Sequence, residues 1–498
     1  MQRSITLHKQ NFLTTPQGIA LIILVAVVVW SLSPVNPVTV ALLAVAGLFL
    51  FGLRQPVWAM AAILISQLTI TSYMVNTPFG VALSLRLLLL VVVGLVLWRL
   101  SAKAKIELGP KAKRVLIPAS ILIAVSVVSN VVNSGLDYAF KDFRGIVVGL
   151  LIVIFLAAVV RNTKHLKILC AVVFIGITAS AIVGLIQHYQ FMGLGQNTII
   201  PGFLQSWGSQ TRVPGMAETE LELAYVLSAA IPAILGIYLT RGVESGMRKL
   251  LIVAMILMAV ALYFTYTRSA LLALVFGLLA LVLFLRTRIR GEIILVVALV
   301  LVATIALTGI LENQYLGGRS ATNQQESTMS RKILWQAGLA ISADNPILGI
   351  GGGRFREVSV QYTSSVDQSL LSYEQEQYWG YTTLGTEAIH NDYLGVLVSY
   401  GIIALIAYLW LFIAILRNLL DSHRKSTSRF VKGLSIGLAA ALVAYGVNAF
   451  YHNTMGTLPL LWILAGFSVV TAKLALSSPS KTRTADERQE NDLRGKNE

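Results

Sequence analysis

The 498-residue chain holds a single cysteine, Cys170, inside an apolar run. That excludes an internal disulfide and a cysteine-based metal cluster. Charge is scarce too: Asp, Glu, Lys and Arg make up 12% of the residues, against roughly 25% in soluble domains. Acidic residues are the scarcer sign, 23 against 39 Lys and Arg, which leaves a formal net charge of +16. Several signatures are missing as well. There is no D-x-D pair for metal-dependent nucleotide-sugar transfer, no G-x-x-x-x-G-K-[ST] phosphate loop, no G-x-S-x-G elbow and no H-E-x-x-H pair. The familiar soluble-enzyme classes fall away with them, and neither a metal nor another cofactor is expected. No recognised nucleic-acid motif accompanies the positive charge, so nucleic acid is not an expected partner.

What remains is apolar. Hydrophobic residues are 56% of the chain and the mean hydropathy is +0.74. Runs of about 20 residues, enough to cross a hydrocarbon core of roughly 30 Å as helix, recur from Ile19 to Leu476. They read as spans near 17–33, 37–53, 56–75, 81–100, 115–133, 144–160, 166–187, 219–240, 249–267, 269–286, 292–310, 391–416, 433–452 and 456–475. The expected fold is all-α, a polytopic transmembrane bundle of about 12–14 spans. The basic segment Met1–Lys9 precedes the first run without a small-residue cleavage site, and reads as the flank of a transmembrane helix, not of a removable signal.

Basic residues are not spread evenly. With a cytoplasmic N-terminus the inside loops are 99–114, 161–167, 241–249, 286–290 and 417–432, all basic, and the C-terminal tail is inside as well. The alternate loops are poor in Lys and Arg, as the positive-inside rule requires. The expected location is the cytoplasmic (inner) membrane, with both termini cytoplasmic. Two outside segments are long: 188–218, and 311 to about 390, the second just before a span that opens after His390. Loops of that length are usually functional. Residues 476–498 are polar and read as a disordered cytoplasmic tail. No internal repeat is visible, nor a pair of glycine-broken spans of the transporter kind.

This topology collects ionisable residues at one membrane face: Arg86, Lys141, Arg144, Arg212, Arg268 and His390. Charge in a span faces a protein cavity or water. Each residue also has a plainer reading. Arg86 and Arg268 can snorkel outward, Lys141 and Arg144 can pair with Asp142 at the surface, and His390 opens a span where polar residues are common. Glu218, Glu220 and Glu222 are either charges favoured at a helix N-terminus or contacts to substrate hydroxyls. Gly349–Gly353 reads as a turn-forming loop. Together the cations suit a phosphate or diphosphate at the outer surface, since the guanidinium fork bonds phosphate oxygens bidentately. A nearby histidine, a residue type that exchanges protons near neutral pH, suits a general base.

Four strings carry a resemblance: TRVPGMAETELELAYVLSAAIPAIL, YTRSALLAL, SRKILWQAGLAISADNPILGIGGGRF and HNDYLGVLVSYGIIALIAYL. In these the sequence resembles the superfamily of O-antigen ligases and Wzy-type O-antigen polymerases, over roughly Gln187 to Leu416. One departure is Glu218-Thr219-Glu220, where family members often carry Pro-Asn. The resemblance implies a membrane-embedded glycosyltransferase of cell-surface polysaccharide biosynthesis, metal-independent and inverting. Its donor would be a glycan on undecaprenyl diphosphate, and its acceptor a glycolipid or another glycan. Carried onto this chain, Arg212 and Arg268 would bind the diphosphate and His390 would deprotonate or orient the acceptor hydroxyl. Arg331, in R-x-x-x-W, would be a further donor contact or a helix-surface residue. Arg86, Arg144, Glu220 and Asn391 would support them. The implied organisation is N-terminal helices 1–187, a catalytic region 188–416 that includes the outer loop 311–390, C-terminal helices 417–475 and the tail.

Ligase and polymerase use the same donor chemistry, and these residues leave both open. A small-anion transporter, of bicarbonate for example, is the reading from another class. Against it, the ionisable residues gather at one face and not along a path through the midplane.

Overall fold

The computed structural model describes residues 55–69, 74–76, 82–84, 110–133, 135, 149–191, 212–217, 219–285, 321–378, 383–457 and 459–476. The expectations for spans 17–33, 37–53 and 292–310, most of 81–100, Arg86, Lys141, Arg144, Glu218 and residues 477–498 lie outside the described residues.

The protein is an all-α multi-pass membrane protein. Among the described residues seven helices are long and apolar enough to cross a membrane, and three shorter apolar helices accompany them. In chain order the helices are α1 (Pro56–Thr69), α2 (Pro110–Asn133), α3 (Gly149–Val159), α4 (Thr163–Phe191), α5 (Glu220–Leu239), α6 (Ser245–Phe264) and α7 (Arg268–Leu285). The segment expected to lie outside, called the outer segment below, then supplies α8 (Ala321–Asp344), the short α9 (Phe355–Ser359) with a 3₁₀ turn after it, and α10 (Gln368–Tyr378). α11 (Asp392–Lys425), α12 (Arg429–Tyr451), the one-turn α13 (Thr454–Thr457) and α14 (Leu460–Leu476) complete the chain. Strand appears as one antiparallel hairpin, Met74–Asn76 with Ala82–Ser84. This corrects the expectation that a helical span begins at 81: strand pairing holds the chain through Ser84.

Helix is the only way these single segments can satisfy their backbone in lipid. Position follows from side-chain size. The most apolar windows of α5 and α12 are 83% and 78% buried, against 17% for α6, so the first two form the centre and α6 the rim. Small residues let the central pair touch backbone to backbone. A Cβ added at Gly236 would lie 2.4 Å from the Gly433 carbonyl oxygen, and one at Gly437 2.6 Å from that of Ala233.

The two ends of the bundle differ. One end carries the basic loops, where Lys111 and Arg114 both pair with Asp421, at 2.6 and 3.0 Å. The other end holds the outer segment and every described residue proposed above for chemistry.

α11 is not one regular helix. At Gly401 φ is +80° and ψ −176°, and the helix is broken there. The absence of a visible glycine-broken pair of spans did not foretell this single break. The loop Asn345–Gly353 fills it: Ile350 N–H donates to Val398 O at 2.9 Å, Gly351 N–H to Ser399 O at 2.9 Å, and Ile402 N–H to Pro346 O at 2.8 Å. α2 braces the loop from behind, with the Ser129 hydroxyl 2.8 Å from Ser399 O and Asn133 Nδ2 3.2 Å from Gly349 O. The outer segment is thus anchored about 13 Å along α11 from its start, at 1.5 Å per residue.

Candidate active site

The segment before α5 brings in Arg212. Gln187, near the end of α4, makes two bonds of 2.9 Å with Gly215, accepting from its N–H and donating to its carbonyl. Gly215 has φ +61°, and a Cβ there would sit 2.6 Å from Ser180 O, so the turn lies flat on α4 only because this residue is glycine. Val213 N–H donates to Phe264 O at the end of α6. Thr219 caps α5 by accepting from Glu222 N–H. Arg212, so placed, meets Glu220 at 2.9 Å, with side-chain exposures of 13% and 10%. Glu220 therefore both opens α5 and holds Arg212.

Removing one member of a buried pair strands the other. Arg212→Ala is expected to cost about 3 kcal/mol of stability, read as the melting temperature in detergent. Arg212→Ala combined with Glu220→Gln should recover most of that stability but not the activity. Equal stability of the single variant and the native chain would show that Arg212 has no structural share.

Two His-Asn pairs face each other at this end: His390-Asn391 before α11 and His452-Asn453 after α12. Their segments interlock. Asn391 N–H donates to the Asn453 side chain at 3.3 Å. The buried Asp392 carboxylate accepts from the Thr454 hydroxyl and from Met455 N–H at 2.9 Å. Asn391 also caps α11, accepting from Leu394 N–H at 3.0 Å. The result sets the His390 and His452 rings 6.1 Å apart and nearly perpendicular. His390 Nε2 lies 3.5 Å from a Glu387 carboxylate oxygen. Its φ is +51°, a left-handed conformation that costs most side chains about 1–2 kcal/mol.

α8 delivers Arg331. In R-x-x-x-W, Arg331 and Trp335 stand one turn apart on one helix face. Trp335 Nε1–H donates to Ile389 O at 3.1 Å, and its ring meets Phe450 edge-on at 5.3 Å. That anchor, with the loop locked into α11, places Arg331 where Tyr225, Tyr451 and Glu387 act on it. Burial works against its positive charge, and these three neighbours work for it.

His452, which the sequence reading did not single out, lies at the meeting point. α12 ends at Tyr451 and His452 follows just outside the span. Its Nε2 is 3.1 Å from the Ser269 hydroxyl and its ring 5.5 Å from that of Tyr225. Burial first, then the charges of Arg331, His390 and Arg212, push its imidazole down to about 3. Arg268 opens α7 one residue before Ser269, with its side chain exposed. Three of the expected residues, Arg212, Arg331 and His390, are therefore gathered about His452, with Glu220 and Asn391 as their supports and Arg268 at the edge. Among the described residues no three of His, Cys, Asp and Glu lie close enough to share a metal ion.

The His452 value has a consequence for stability. Above pH 6.5 the imidazole is neutral whether the chain is folded or not. Between pH 6.5 and about 3 only the unfolded chain takes up the proton, so stability falls as pH falls through this window. His452→Asn should flatten the acid side of a melting-temperature profile. An unchanged slope would show that other groups set it.

Residues 253–409 match the family model described as O-antigen ligase. Over these residues the chain is similar to the O-antigen ligase family. No curated protein matches the chain significantly. The family region takes in α6, α7, the outer segment and the first half of α11, and with them Arg268, Arg331 and His390. Arg212 and His452 lie outside its limits and reach the same site through folding. The family connects the chain to glycan assembly of the ligase or polymerase type.

Proposed function

We propose that the protein transfers a glycan from undecaprenyl diphosphate to an acceptor hydroxyl at the outer face of the cytoplasmic membrane. The observation that carries this reading is the convergence of Arg212, Arg331 and His390, from three separate segments, on one partly buried site, the last two of them within the family region. The basic loops at the far end of the bundle support an extracytoplasmic orientation of that site.

In this reading the acceptor oxygen attacks the anomeric carbon from the side opposite the diphosphate. The carbon–oxygen bond to the diphosphate breaks and its electron pair leaves on the diphosphate oxygen, so the centre inverts. The acceptor's proton passes to His390, and Glu387 at 3.5 Å holds the ring and stabilises the imidazolium formed. Arg212 and Arg331, with Arg268 at the rim, meet the charge that develops on the leaving group. Fixed donors of this kind contribute about 10²–10³-fold in rate each. The acceptor is a glycolipid or another glycan.

The test is a gene deletion followed by sizing of the undecaprenyl-linked and the surface-linked glycans from the same cells. Long lipid-linked chains with no transferred product support the ligase. Single repeat units, whether transferred or not, indicate a polymerase with the same donor. Unchanged glycans on both carriers overturn the enzyme reading, and anion uptake is then the next measurement.

A further inference from the structure

Two polar atoms at this site have no hydrogen-bond partner among the described residues: Tyr225 Oη and His452 Nδ1. Both are buried, and a buried polar atom left without a partner is costly. They are neighbours, with rings 5.5 Å apart and tilted by 47°. Both also lie within the electrostatic reach of Arg331, and His452 within that of Arg212 and His390. A phenol and an imidazole nitrogen without partners, in the field of nearby arginines, are groups that an anionic ligand could complete as donors.

We propose that Tyr225 and His452 form a neutral subsite for one phosphoryl group of the donor, beside the arginines. This rests on the lipid-diphosphate reading above. The chemistry divides between the two sets of groups. Arginines supply charge, which acts over distance. Tyr225 Oη–H and His452 Nδ1–H supply short, directed hydrogen bonds to a phosphoryl oxygen. For His452 to donate from Nδ1, its Nε2 must accept, and the Ser269 hydroxyl 3.1 Å away is the donor that sets this tautomer. Burial first, and then the positive charge near the ring, keeps the imidazole neutral. Ser269 is the positioning residue, and the other two touch the ligand.

The experiment measures binding of undecaprenyl diphosphate itself to the full-length protein in detergent, with undecaprenyl monophosphate as the comparison ligand. Tyr225→Phe removes only the unpaired oxygen and keeps the ring. It should bind undecaprenyl diphosphate about ten-fold more weakly, while the ligand-free protein is at least as heat-stable as the native one. His452→Ala should lose a similar factor, His452→Asn less, and Ser269→Ala an intermediate amount. Because both donors address one group, the double variant Tyr225→Phe/His452→Asn should depart from the sum of the singles. If the His452 variants do not fold, Tyr225→Phe and Ser269→Ala still decide the matter. Native-like binding by both overturns the subsite. If the native protein does not bind undecaprenyl diphosphate at all, the donor reading itself fails. If it binds and only the subsite variants are silent, the donor reading stands and this inference falls.

Discussion

His390→Asn is expected to lose glycan transfer by about 10²–10⁴-fold while the protein stays as stable as the native form. The choice of asparagine follows from the backbone. His390 sits at φ +51°, and asparagine is among the side chains that tolerate this left-handed region. The variant therefore keeps the turn that leads into the Asn391 cap of α11 and removes only the imidazole. His390→Ala should lose the same activity and about 1 kcal/mol of stability besides, because alanine gains nothing locally from that conformation. The comparison separates the base from the strained turn that presents it. Glu387→Gln should fall between, since it leaves the imidazole in place but removes the charge that faces its Nε2 at 3.5 Å. A normal transfer rate for purified His390→Asn would remove the base assignment, and the gathered arginines would then need another proton acceptor near them.

Most of the helices were legible from apolar run length, because a lipid-spanning segment leaves the backbone no alternative to helix. The spans expected at 115–133, 219–240, 249–267, 269–286 and 433–452 each coincide with a helix to within a few residues. The alternation of basic loops then grouped Arg212, Arg268 and His390 at one membrane face before any contact was known, whereas Arg331 came from the R-x-x-x-W resemblance. What was not legible depends on contacts between segments far apart in sequence. The pairing of Arg212 with Glu220 needs the Gly215 turn to lie flat on α4. Tyr225 reads as one more apolar-helix residue until its hydroxyl is seen to lack a partner. For His452 a signal was present: a second His-Asn pair, placed by the same topology at the same face as His390-Asn391. The break in α11 had only a weak signal, one glycine in the Ser399-Tyr400-Gly401 stretch, within a run otherwise apolar enough to cross unbroken.

That break carries the second large effect. Gly401→Ala is expected to cost more than about 3 kcal/mol of stability and to abolish most transfer activity, although Gly401 itself lies well away from the site. The conformation φ +80°, ψ −176° belongs to a region open essentially to glycine alone. A Cβ there would also meet the Ile347 carbonyl at 2.0 Å, and that neighbour is backbone, which cannot rotate aside. To fit the methyl group, the Asn345–Gly353 loop must withdraw. With it go the bonds from Ile350 to Val398, Gly351 to Ser399 and Ile402 to Pro346, each worth about 1 kcal/mol. They leave unpaired backbone inside the bundle, where no water replaces the lost partner. The loop is also the C-terminal tether of α8, so its release loosens the helix that carries Arg331 and leaves the Trp335–Ile389 bond as the remaining anchor. Gly246→Ala on the exposed start of α6 is the control, since an added methyl there meets nothing within 4 Å; it should be neutral or slightly stabilising. Melting temperature and transfer rate measured on the two variants in the same detergent separate the possibilities. A Gly401→Ala protein that melts like the native one but has lost transfer would place the effect on Arg331 alone. One that keeps both would mean that the loop can leave α11 without consequence, and that the R-x-x-x-W helix is held by Trp335 and not by the break it enters.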